Sequence, residues 1–124
     1  ISKKTEIIID DSIGQLDMWY KNIKIVFLGK SLPPKGGQNP IEPAKKGCLI
    51  ISGKMSNFKE IEKEMIINKC ILNINHTLDL FNAVKDCIKK VSYIKKIRIN
   101  AEKYVQSKSS ILDKTITKII KYLN

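Results

Sequence analysis

At 124 residues, 43% hydrophobic and 28% charged, the chain suits one globular domain with a modest core and excludes a disordered polymer. No stretch approaches the roughly 20 apolar residues of a membrane-crossing helix. No signal peptide is read at the start, and because the chain opens on Ile1 we expect a piece of a longer protein. The net charge of +11, from 23 Lys and Arg against 12 Asp and Glu, favours anionic partners. Two readings of it stand: a solvated lysine-rich surface, or contact with an anionic membrane face. Nucleic acid is not expected, because aromatic residues are only 6% and no nucleic-acid motif is present.

The predicted elements follow in chain order. Residues 7–9, three isoleucines closing on Asp10 and Asp11, read as a short buried strand. Residues 14–20 read as a brief helix carrying Leu16, Trp19 and Tyr20, and residues 25–28 as the next strand, closed by Gly29. The loop 30–38 holds the turn formers Pro33, Pro34, Gly36 and Gly37. A helix is predicted over about 40–46, a strand over 49–51, a helix over about 57–66 and a strand over 71–74. Continuously apolar strands alternating with helices predict an α/β fold, a Rossmann-like parallel sheet of about four strands with flanking helices. The remainder is predicted helical from about 77 to 124, in a single partial domain over 1–124. Thr77 is placed as the cap of a helix whose apolar face is Leu78, Phe81, Val84, Ile88 and Val91. A second helix starts near Ser92 with Ile94, Ile97, Ala101, Tyr104 and Val105. A third carries Leu112, Ile116, Ile119, Ile120 and Leu123.

Cys48, Cys70 and Cys87 are unclustered, with no C-x-x-C pair, so reduced thiols are expected and no disulfide framework or zinc site. Cys48 and Cys70 border apolar strands and fit small buried hydrophobes. His76 stands alone past the strand at 71–74, where a surface or capping role fits it better than acid–base chemistry.

The segment 29–58 carries the chemistry. The Gly36-Gly37 pair allows positive φ and lets the backbone approach a ligand with no Cβ in the way. Before a helix start, such a pair turns N–H groups toward an anion, and Ser31 and Lys35 add a hydroxyl and a charge. The G-x-G-x-x-G and P-loop patterns are both absent. Asn39, Pro40 and Glu42 have the spacing of a capping box. The alternative places the Glu42 carboxylate on paired ribose hydroxyls.

Taken together, Gly29, Ser31, Leu32, Gly36-Gly37, Asn39-Pro40, Glu42-Pro43-Ala44, Gly47, Gly53 and Asn57-Phe58 resemble the nucleotide-sugar-binding motif of the bacterial 3-deoxy-D-manno-octulosonic acid (Kdo) transferases. Asp10 or Asp11, Gly14, Leu16, Trp19-Tyr20 and Val26-Phe27 extend the resemblance upstream; beyond Phe58 only helical character matches. The resemblance implies the C-terminal part of the donor domain of a two-domain GT-B glycosyltransferase. The donor would be CMP-Kdo and the acceptor a lipid A precursor at the cytoplasmic face of the inner membrane, with no metal or other cofactor. It places Ser31, Gly36 and Gly37 at the CMP phosphate and Asn39 and Glu42 at the ribose. Gly14, Gln15 and Leu16 would lie near the cytidine, and Asn57 on the sugar side. It also implies that the acceptor domain, the membrane anchor and the catalytic carboxylate precede this segment, so that the piece alone is inactive. Departures are Gln15 for Glu, Gln38 for His, and a turn 53–57 that is one residue short and lacks Pro-His. These preserve binding roles and remove proton-transfer ones. The rival readings are a GT-B transferase that uses a UDP-sugar, and a non-catalytic basic module for acidic lipid or nucleic acid.

Overall fold

The computed structural model describes residues 4–32 and 35–123. Pro33 and Pro34, expected as turn formers, and the side chain of Leu123 lie outside the described residues. In chain order the elements are α1 (Leu16–Asn22), β1 (Ile25–Phe27), α2 (Ile41–Lys45), β2 (Leu49–Ser52), α3 (Lys59–Ile67), β3 (Leu72–Asn73), α4 (Thr77–Lys89) and α5 (Val91–Leu123). A 3-10 turn, Ser56–Phe58, leads into α3. The strands form one parallel sheet in the order β1-β2-β3, with Val26 opposite Ile50 and Ile51 opposite Leu72. Because helices cover both faces, the central strand β2 is buried along its whole length and reads as an apolar run, Leu49 to Ile51, closed by the buried Ser52.

Two core clusters sit on the two faces. On one, Val26, Leu28 and Ile50 meet Ala44 of α2, Met65 of α3, and Ala101, Tyr104 and Val105 of α5. On the other, Leu49, Ile51 and Ile74 meet Cys87 of α4 and Ile94 and Ile97 of α5. Strand alternation directs neighbouring β2 residues to opposite clusters, and α5 contributes to both. The three cysteines are buried and free.

The α/β class and the parallel sheet agree with the sequence reading, with three strands found among the described residues. Residues 7–9 form no strand: Ile7, Ile8 and Ile9 are 81%, 46% and 90% exposed. An apolar triplet becomes a strand only where a neighbour takes its backbone bonds, and this one has none. The predicted face of α4 is also corrected. Leu78, Phe81, Val84, Ile88 and Val91 are exposed, and α4 enters the core through Cys87, with Leu80 and Ala83 packed beside it. Its apolar band is wider than the strip the sheet covers, so the sequence pattern does not select which edge docks.

The cap of α4 is His76, one residue before the expected Thr77. The Asp79 carboxylate accepts the N–H groups of Asn75 and His76, which holds it below the usual carboxylate range. The two helices expected after Ser92 are one. The proximal part of α5 buries Ile94, Ile97, Ala101, Tyr104 and Val105 as expected, whereas Leu112, Ile116, Ile119 and Ile120 are exposed. No helix among the described residues is long and apolar enough to cross a membrane.

Candidate functional site

The site is built at the C-terminal ends of β1 and β2, where the loop after β1 meets the turn after β2. Lys30 reverses the chain at φ 59°, and its carbonyl accepts the N–H groups of Lys35 (2.8 Å) and Gly37 (3.1 Å). The Ser31 hydroxyl is fully buried; it donates to the Leu28 carbonyl (2.6 Å) and accepts the Gly53 N–H (2.9 Å). The exits of the two strands are thereby tied through one side chain.

Gly36 and Gly37 adopt φ of 107° and 73°. They are also where the turn comes closest. A Cβ on Gly36 would lie 2.5 Å from Asn57 Nδ2, and one on Gly37 2.8 Å from Met55 Cγ. The Asn57 N–H donates to the Gly36 carbonyl at 2.9 Å. Loop and turn therefore form a single cradle, and both glycines are needed for space as well as for φ. Among the described residues, the N–H groups of Gly36, Gln38 and Asn39 donate to no protein acceptor.

Beside the cradle lie two cavities. One, of about 570 Å³, is lined by Leu16, Trp19, Tyr20, Gln38, Asn39 and Glu42 together with β1. The other, of about 470 Å³, is lined by Gly14, Leu16, Tyr20, Glu42 and the lysines Lys45 and Lys46. Glu42 and Tyr20 border both. The expected capping box is not formed: the cap of α2 is Pro40, and it has no side-chain cap bond. Asn39 Oδ1 accepts the Ile41 N–H at 3.0 Å, while Glu42 is exposed and accepts no backbone N–H among the described residues. Its carboxylate is left facing the cavities. Burial and the neighbouring Glu42 charge raise the Tyr20 phenol above its ordinary value, so it stays a neutral donor. The Trp19 indole donates to Asp10, which Ser12 and Trp19 together hold below the usual carboxylate range.

The expected site residues thus fall into two groups. Ser31, Gly36, Gly37 and Asn57 build the cradle; Gly14, Leu16, Asn39 and Glu42 line the cavities. Gln15 precedes α1, exposed, its carbonyl accepting the Trp19 N–H. The helix following the loop is only five residues long, so backbone N–H groups of the loop outweigh any helix dipole. Sequence reasoning missed Tyr20 and Met55. Tyr20 was signalled by its i+4 spacing from Leu16, which puts both on one face. Met55 had no sequence signal, since its place over Gly37 depends on the docked turn. Among the described residues no three His, Cys, Asp or Glu side chains converge.

No protein-family model matches the chain. A 3-deoxy-D-manno-octulosonic acid transferase of Rickettsia typhi is 30% identical over 121 residues, covering 95% of this chain and 26% of the relative. The enzyme of the same name from Haemophilus influenzae is 37% identical over 79 residues, 63% of this chain and 18% of the relative. The crystal structure of the C-terminal CMP-Kdo binding domain of WaaA from Acinetobacter baumannii superposes with a TM-score of 0.73 at 27% identity. It covers 78% of this chain and 51% of that one. The chain is similar in sequence to these Kdo transferases. It spans about a quarter of the length of the Rickettsia Kdo transferase. Its fold is similar to that of the C-terminal domain of WaaA.

Proposed function

We propose that this chain is the C-terminal donor-binding part of a glycosyltransferase that moves Kdo from CMP-Kdo to a lipid A precursor in lipopolysaccharide biosynthesis. The observation that carries the reading is the match in shape and sequence to a CMP-Kdo binding domain. The cradle and cavities supply its chemistry. The N–H groups of Gly36, Gln38 and Asn39 suit the CMP phosphate, Glu42 the ribose hydroxyls, and the wall of Leu16, Trp19 and Tyr20 the cytosine. In the transfer, the bond from the anomeric carbon of Kdo to the phosphate oxygen breaks and the acceptor oxygen bonds to that carbon. The acceptor proton passes to a base outside this chain. Fixed N–H dipoles lower the barrier by stabilising the charge that develops on the departing phosphate. The reading assigns no metal or other cofactor to this part. It places the parent protein at the cytoplasmic face of the inner membrane, a location supported by the family resemblance and the lysine-rich, anion-seeking surface.

CMP titrated into the chain should shift the amides of Gly36, Gly37 and Glu42, with UDP weaker. A preference for UDP would transfer the reading to another GT-B enzyme. Salt-sensitive binding to anionic vesicles with no CMP response would leave only a basic binding module. Glu42→Gln should weaken CMP binding about tenfold while leaving the melting temperature within about 2 °C. The opposite pattern, lost stability at unchanged affinity, would reduce Glu42 to a cap. By itself the chain is expected to be inactive, which Kdo transfer by the purified chain would refute.

A further inference from the structure

We propose that Glu62 is a positioning residue of the donor site, holding the turn after β2 against the glycine pair that receives the phosphate. The proposal rests on the donor-site reading above. In that turn, alternate N–H groups are anchored to three different elements. Gly53 donates to Ser31 Oγ at the exit of β1 (2.9 Å), Asn57 to the Gly36 carbonyl in the loop (2.9 Å), and Met55 to Glu62 Oε2 on α3 (3.0 Å). The Glu62 bond ties the turn to α3. It acts on the residue that matters for the glycines, because Met55 is fully buried and its backbone and side chain crowd the space over Gly37.

The Glu62 carboxylate does not act at the first turn of α3: it reaches past Phe58, the residue preceding α3, to the amide of Met55 seven positions earlier, at the head of the 3-10 turn that leads into the helix. The need for such an anchor is local. The turn is one residue shorter than the pattern it resembles and lacks that pattern's Pro-His. A ring that would fix φ is therefore missing. A charge-assisted hydrogen bond from a helix supplies the rigidity instead. Freed from it, Met55 and Asn57 would shift together, and with them the backbone of Gly36 and Gly37.

The test compares Glu62→Ala and Glu62→Gln with the wild-type chain, at a temperature where each is folded by circular dichroism. Glu62→Ala should weaken CMP binding about tenfold, the worth of one charge-assisted hydrogen bond, and move the amide resonances of Met55, Asn57 and Gly36. Glu62→Gln keeps an acceptor for the Met55 N–H and should restore both the resonances and the affinity to within about threefold. Rescue by the amide separates positioning from a general loss of stability. Where alanine prevents folding, Glu62→Leu replaces it, keeping bulk without an acceptor. Wild-type affinity and unmoved Met55, Asn57 and Gly36 amides in the alanine or leucine variant would overturn the proposal. If the wild-type chain ignores CMP, the donor-site reading fails, and the amide comparison still decides whether Glu62 holds the turn.

Discussion

At the scale of single residues, backbone geometry and burial make the sharpest demands. Gly36 combines positive φ with a neighbour that leaves no room for a methyl group. Gly36→Ala should therefore cost about 1–3 kcal/mol in chemical denaturation and displace the Asn57 amide resonance. Its partner Asn57 was legible from the motif; the contact between them was not, because it joins loops twenty residues apart in the chain. Burial also governs the thiols. Cys70 is pushed up to about 11, and Cys48 and Cys87 move in the same direction. A Cys released by unfolding ionises near its ordinary value of 9.0, so over that window the unfolded state loses protons that the folded state keeps. Stability is then fully present below pH 9 and falls as pH rises toward 11. Melting curves across that range should show the fall, and Cys70→Ala should flatten it.

At the scale of elements, the helices show where periodicity is sufficient and where it is not. Proximal α5 buries the stripe its spacing announces, because two sheet-bound clusters await it. Distal α5 carries an equally regular stripe with nothing against it: from Gln106 to Tyr122 every side chain is exposed, about 25 Å of helix at 1.5 Å per residue. Amphipathic spacing reports a capacity to dock, and the docking itself belongs to the surroundings. Deleting residues 111–124 should accordingly move the melting temperature of this chain by less than about 2 °C, since among the described residues no buried contact is lost. Helix α4 makes the converse point. The docked edge of its broad apolar band is decided by the sheet, and the place of Asp79 three residues past the cap emerges only once His76 is the cap. Asp79→Ala should lower the melting temperature at neutral pH. The deficit should vanish in acid, because a depressed carboxylate contributes only above its ordinary value of 3.8 and loses that contribution as pH falls.

At the scale of the whole molecule, one small parallel sheet organises both the core and the site. Its two faces hold separate clusters, joined through β2 and spanned by α5. Ile50, fully buried on the central strand, is the residue whose loss should be felt throughout. Ile50→Ala is expected to cost about 2–5 kcal/mol, read as a shift in denaturation midpoint at unchanged slope. The strand ends deliver Ser31 and Gly53 to the same point. Packing at Ile50 and geometry at the cradle are thus linked through β2, and a core variant should weaken CMP binding only as far as it unfolds the chain.

The sequence by itself determined the alternation of strand and helix, the parallel sheet, the proximal face of α5 and the glycine-centred loop after β1. Each rests on local chemistry: apolar continuity, 3.6-residue spacing, and backbone conformations that glycine alone adopts freely. Only the tertiary structure decided that residues 7–9 stand exposed, that α4 docks by Leu80, Ala83 and Cys87, and that Ser31 is spent on joining two strand exits. It alone brought Met55 against Gly37 and the Glu62 carboxylate to the Met55 amide. The physical reason is common to all of these: a hydrogen bond or a buried face needs a partner, and which residue supplies it depends on where distant parts of the chain come to rest.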